Sequence, residues 1–230
     1  MLMHDGTSNP TLPNLYKGIV FDLDGTLLNT LHCIATAFNS ALEQLDFPTH
    51  QSTDFRAFIG DGVFKCAERA LPMEARNEAT ITELVALERE IYEATWMQEI
   101  SVYDGIGALL DQLRASNIAT AVLTNKDQGA AESCLTHCFP DHRFEQILGF
   151  SGRYPHKPNP VGGQALIRDI GLPSHRLAMI GDTEVDIQTA LACGMLAVGV
   201  SWGFRDRADL EAAGCDLLID HPSEILKLTY

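Results

Sequence analysis

Positive charge is what this chain has least of. Sixteen lysines and arginines face 31 aspartates and glutamates in 230 residues, a formal net charge of −15. Such a surface repels nucleic acid and anionic membranes, so neither is expected as a partner. An anionic substrate then needs a locally reversed field, from a metal ion, a lysine or a helix N-terminus. Long apolar runs are also missing: nothing approaches the roughly 20 residues that span a bilayer. Met1–Pro13 is polar and holds no signal-peptide core. The expected location is cytoplasmic, with residues 1–14 a flexible tail. Internal repeats and low-complexity tracts are absent.

Six cysteines occur, at 33, 66, 134, 138, 193 and 215. Their spacing forms no disulfide framework, and free thiols are expected. Cys134, His137, Cys138 and His142 put four soft-metal ligands in nine residues. Pro140 interrupts them and the spacing matches no closed zinc motif, so small buried thiols on a helix are expected instead.

Hydrophobic residues make up 46% of the chain, enough for one substantial core with a smaller satellite. Lys17–Asp22 reads KGIVFD, a short β-branched run suited to a buried strand. Similar runs recur at Ala119–Leu123, Gln146–Gly149, Leu177–Ile180, Leu196–Val200 and Leu217–Ile219. Helical patterns separate them. That alternation predicts a parallel sheet covered on both faces. From about residue 30 to 100 it stops, and the pattern is helical throughout. Ile81, Leu84, Val85, Leu87 and Ile91 recur with a 3.6-residue rhythm. The expected organisation is an α/β core over 15–29 and 101–230, with a helical domain inserted at 30–100.

Polar residues cluster where apolar strands end. Asp22 and Asp24 follow GIVF, Thr124 and Asn125 follow TAVL, and Asp182 follows LAMIG. Lys157, in HKPNP, follows a weaker strand and a loop. Ligands of open parallel sheets bind beyond the carboxyl ends of the strands, so these residues can share one crevice. Asp22 and Asp24 stand two apart in extended chain and leave on the same side. Asp182 adds a third acid and Asp186 a fourth, one helical turn on. So many carboxylates together suit a hard divalent ion of the magnesium kind (Mg2+). Lys157 and the Thr124 hydroxyl then fit a phosphoryl group, as does the Gly25-Thr26 turn that opens toward a helix N-terminus.

Taken in order, FDLDGTLLNT, LTN, HKPNP and GDTEVDI resemble the four motifs of the haloacid dehalogenase superfamily. The segment from GDTEVDI to SEIL is similar to its phosphoglycolate phosphatase branch, and the resemblance spans roughly residues 18–226. It implies a Rossmann-like core with an inserted helical cap, and a magnesium-dependent phosphatase acting on a small phosphorylated metabolite, phosphoglycolate being the leading candidate. Asp22 would be the nucleophile and Asp24 the general acid and base. Thr124 and Asn125 would hold the phosphoryl group, and Lys157 would offset charge. Asp22, Asp182 and the Asp24 backbone carbonyl would hold magnesium, with Asp186 in support. Asn29 departs from the acid often found at that position.

Asp22 and Thr124 are 102 positions apart, while Thr124 and Lys157 are 33 apart. Only the first gap has room for a cap. Within it, Arg56 and Lys65 flank the Ile59–Gly62 turn, and Arg56 is a candidate for substrate contact. A sugar phosphomutase of the same fold stays open, as do, with less support, a phosphonate hydrolase and a non-catalytic phosphate-binding module. The sequence leaves monomer or dimer undecided.

Overall fold

The computed structural model describes residues 16–229. The tail expected at 1–14 lies outside them. Strand β1, Gly18–Phe21, is buried along its whole length. It pairs in parallel with β4, Ala119–Asp127, from Gly18 opposite Ala119 to Phe21 opposite Val122. On its other side it pairs with β6, Leu177–Gly181. With β5 (Gln146–Phe150), β7 (Leu196–Val200) and β8 (Leu217–Ile219) these strands form a six-stranded parallel sheet ordered β5-β4-β1-β6-β7-β8.

Alternate residues of β1 show that both faces are covered. Ile19 and Phe21 join one apolar cluster, with Leu109 and Leu113 of α5 (Ile106–Ala115) and Ala131 and Leu135 of α6 (Gln128–Cys138). Val20 joins the other, with Leu166 of α7 (Pro160–Ile170) and Ile187 and Ala190 of α8 (Glu184–Cys193). This is the α/β layering that the alternation of strand and helix patterns predicts.

The helical insert leaves and re-enters through a two-residue antiparallel pair, Leu28–Asn29 (β2) with Ser101–Val102 (β3). Between them lie α1 (Leu31–Gln44), α2 (Phe55–Phe58), α3 (Val63–Ala70) and α4 (Glu78–Thr95). Asn77 caps α4, its side chain accepting from the Thr80 amide at 3.1 Å. The inner face of α4 is Leu84, Val85, Glu88 and Tyr92. Leu87 and Ile91, read as part of the apolar stripe, are only partly buried against it.

The cysteine and histidine cluster disperses. Cys134 is buried beside the Tyr92 hydroxyl, at 3.7 Å, and His137 packs edge-on to Trp96. His142 bonds the Thr120 hydroxyl at 2.9 Å. Cys138 is a half-buried free thiol.

Candidate active site

Every expected site residue except Arg56 lies at or beneath the carboxyl end of the sheet. β1 ends at Phe21, which places Asp22 just past the edge, 7% exposed. Lys157 reaches it from the loop before α7. The lysine ammonium donates to Asp22 Oδ1 at 2.8 Å and to Asp186 Oδ1 at 2.6 Å. Asp186 is held by its own helix start: its Oδ2 accepts from the Thr183 amide and hydroxyl, at 3.0 and 2.7 Å. That capping box lets α8 begin while fixing the acid toward Lys157.

Asp182 follows β6 and is fully buried. Its carboxylate accepts from the Thr26 hydroxyl at 2.9 Å and the Phe204 amide at 2.8 Å. Gly25 makes this approach possible. Its φ is +88°, and a Cβ there would stand 2.2 Å from Asp182 Oδ2. Thr26, expected at the phosphate, is buried with its hydroxyl committed to Asp182. Asn125 ties three segments together. Its oxygen accepts from the Lys157 amide at 2.7 Å, and its NH2 donates to the carbonyls of Lys157 and of Gly60 in the insert.

Above these groups the insert encloses a cavity of about 470 Å³. Asp22, Asp24, Thr124 and Asn125 line its floor. The Ile59–Gly62 turn, expected to dip toward the site, lines it through Ile59, Gly60 and Gly62. Arg89 bridges one rim, with a two-pronged ion pair to Asp127 in the core at 2.7 and 3.0 Å. Arg56 lies elsewhere. Its guanidinium donates to the carbonyls of Phe204 and Gly203, at 3.0 and 2.8 Å, in the seam between insert and core. Arg205 answers from the core, donating to the carbonyls of Arg56 and Ile59. Arg56 therefore latches the insert, and its donors point away from the cavity. Lys65 pairs with Glu68 on the surface.

Charge settles the character of the floor. Burial pushes the Asp22 carboxyl up to about 7, against the pull of Lys157. Asp182 is driven well above the usual carboxylate range, first by burial and then by Asp186 and Asp22. Burial pulls the Lys157 pKa down, but Asp186 and Asp22 outweigh it and hold the ammonium charged. One ammonium thus serves two of the three buried carboxylates, Asp22 and Asp186.

Known proteins match this arrangement. A family model described as haloacid dehalogenase-like hydrolase covers residues 19–200. The chain belongs to that family. A Dickeya dadantii protein named "Probable phosphatase IndB" is 30% identical over 90% of this chain and 91% of its own. A phosphoglycolate phosphatase of Mannheimia succiniciproducens is 28% identical, over 93% and 98%. A crystal structure of a predicted phosphoglycolate phosphatase from Haemophilus somnus superposes with a TM-score of 0.86 at 28% identity, covering 94% and 98%.

In this haloacid dehalogenase-like hydrolase the acids also fit a metal. Asp22, Asp182 and Asp186 each offer an oxygen, all within 4.8 Å of one another. An all-oxygen set short of positive charge suits magnesium. Binding should therefore stabilise the fold. At a concentration about 100 times Kd, linkage gives about 2.7 kcal/mol. In a chain of this size that raises Tm by roughly 5–10 °C. Differential scanning fluorimetry with magnesium and with chelator measures it, and Asp182→Asn should abolish the shift.

Two residues at the site went unread in the sequence. Lys126, directly after Thr124-Asn125, sends its ammonium to Asp24 at 3.2 Å and packs over the Tyr92 ring at 4.4 Å. The other is Glu88, 6% exposed on the inner face of α4 and lining the cavity. Burial pushes its carboxyl up to about 7, Lys126 and Arg89 opposing only in part. Its folded value exceeds the ordinary 4.5. Its contribution to stability is therefore full below about pH 4.5 and is lost as pH rises through about 7. Against Glu88→Gln, the metal-free wild type should lose relative stability between pH 5 and 8, by about 3 kcal/mol at most. Denaturant midpoints at the two pH values test this; parallel profiles for the two proteins would refute it.

Proposed function

We propose that this protein is a magnesium-dependent phosphatase that hydrolyses a small phosphate monoester through an aspartyl-phosphate at Asp22. The observation that carries the reading is the pairing of Lys157 with Asp22, which lines the cavity under the insert, beside a buried acid cluster with a deficit of positive charge. A carboxylate beside an ammonium can approach a phosphorus without being driven off by the phosphate's own charge.

In this reading the Asp22 oxygen forms a bond to phosphorus as the ester P–O bond breaks. Asp24, held by Lys126 at the cavity floor, gives a proton to the leaving alkoxide. It then takes a proton from the water that attacks the aspartyl-phosphate, releasing phosphate and restoring Asp22. Thr124 contributes its hydroxyl to the phosphoryl oxygens. Its own oxygen already accepts from the Lys126 amide, which leaves the proton to donate. Asn125 keeps the Lys157 loop and the insert in register over the floor. Asp22 and Asp182, with the Asp24 backbone carbonyl, would hold magnesium, and Asp186 would support them through Lys157 and Thr183. The ion supplies charge neutralisation and orientation of the phosphoryl oxygens. The insert covers the floor, and its closing over a bound substrate would exclude bulk water.

Phosphoglycolate, the compound in several relatives' names, is the reference substrate. Phosphate release from a panel of small monoesters, with magnesium and with chelator, tests the activity. Magnesium-dependent release from at least one of them is the expected result. Folded protein that releases none contradicts it.

A further inference from the structure

Glu88 is unusual among its neighbours. The other inward positions of α4 are Leu84, Val85 and Tyr92, all apolar in body. At 6% exposure, its carboxylate has no hydrogen bond and no ion pair among the described residues. The two cations within electrostatic reach are taken. Lys126 is bonded to Asp24, and Arg89 to Asp127. A buried carboxylate without a donor is destabilising, and an apolar residue would suit the same place in the helix. What distinguishes the position is that it opens on the cavity above Asp22 and Asp24.

The rest of the cavity wall sharpens the point. α4 brings two further acids to the lining, Glu90 and Glu93, against the single cation Arg89. Phe38, Val63 and Cys66 supply apolar wall. Beyond the phosphoryl end, nothing in the lining among the described residues offers an unpaired cation to a second anionic group. A substrate's alcohol half therefore meets an acceptor in need of a donor.

We propose that Glu88 selects the leaving group: it accepts a hydrogen bond from a hydroxyl or ammonium on the alcohol half of the substrate and disfavours an alcohol that carries a carboxylate. The inference rests on the phosphatase reading above and narrows it. The substrate class is a phosphate monoester of a polyol or amino alcohol, not of a hydroxy acid. A charge-assisted hydrogen bond in an enclosed site is stronger than its counterpart in water. A site built around such an acceptor discriminates sharply against a group that cannot donate.

The test is kcat/KM at pH 8, above the value of about 7 to which burial pushes Glu88, for glycerol 3-phosphate, phosphoethanolamine and phosphoglycolate, in wild type, Glu88→Gln and Glu88→Lys. p-Nitrophenyl phosphate, which carries neither a donor nor a carboxylate, is the internal reference for each protein. Wild type should favour at least one donor-bearing ester over phosphoglycolate by about tenfold or more. Glu88→Gln should compress that ratio by about tenfold, and Glu88→Lys should invert it. If the recognised donor is an ammonium, phosphoethanolamine loses most in Glu88→Gln. If it is a hydroxyl, glycerol 3-phosphate is largely retained in Glu88→Gln and lost in Glu88→Lys. A wild type that takes phosphoglycolate at least as well as both donor-bearing esters overturns the inference while leaving the phosphatase reading intact. So do ratios that stay the same across the three proteins. Turnover of none of the four esters by folded wild type overturns the phosphatase reading and this inference with it.

Discussion

Asp22→Asn should lower turnover by about four orders of magnitude or more while leaving the fold intact. Asparagine has nearly the shape of aspartate, but its amide oxygen is too weak a nucleophile to displace an alkoxide from phosphorus. The fold should survive because Asp22 is not there for stability. Its carboxyl is raised to about 7 by burial and by the neighbouring Asp186 and Asp24, so its ionised form is disfavoured in the metal-free protein. Lys157 keeps Asp186, at 2.6 Å, after the change. Metal-free Asp22→Asn should thus unfold at the same denaturant concentration as wild type or a higher one. A variant that retains more than a few per cent of wild-type turnover would remove Asp22 from the chemistry.

Lys157→Met should do the opposite to stability. Among the described residues, Lys157 is the one ammonium in contact with two of the three buried acids, and it is 5% exposed. Methionine fills a similar volume and removes the charge. Asp22 and Asp186 would then face each other, with Asp182 close by, and no cation between them. Removing one partner of a buried pair typically costs about 3–5 kcal/mol. The loss should be largest in metal-free protein at pH 8, where Asp22 is driven to ionise, and should shrink toward pH 5 as Asp22 and Asp182, both raised by burial, are protonated. Magnesium should restore part of the stability, because it answers the same repulsion. It should not restore turnover, which is expected to fall by about 10²–10³-fold with the loss of a fixed charge at the phosphoryl end. Denaturation curves with and without magnesium at the two pH values, beside kcat, separate the two effects. Stability unchanged in metal-free Lys157→Met would mean that the buried acids are neutral without the lysine's help.

The sheet was legible because buried parallel strands announce themselves. GIVF and LAMIG are continuous apolar runs, and both became fully buried neighbours at the centre of the sheet. Asp22, Thr124 and Asp182 were legible for the same reason: each follows such a run, and chain direction puts every strand's end on one edge. The helical insert was legible from spacing alone. What escaped was short or long-range. β2 and β3 have two residues each, too few to show a period. Lys126 reads as an ordinary lysine after a strand until Asp24, 102 positions away, comes to meet it. Arg56 reads as a cation near a substrate, yet it answers carbonyls 147 and 148 positions away. Glu88 escaped because a lone acid inside an apolar rhythm reads as an ordinary surface charge. Its spacing from Leu84 and Tyr92, four residues each way, was the available signal that it faced inward.

The most direct test of the account is to trap the covalent intermediate. In Asp24→Asn, an aryl phosphate should still phosphorylate the enzyme, because its phenolate leaves without a proton. The second step should stall for want of a base to activate water. Borohydride reduces an acyl phosphate to an alcohol with loss of phosphate, which would turn the phosphorylated aspartate into homoserine. Homoserine at position 22, found by peptide mass spectrometry and dependent on both substrate and magnesium, is the predicted result. Unmodified Asp22 in protein that has released a full equivalent of phenolate, or homoserine at another position, would contradict the account.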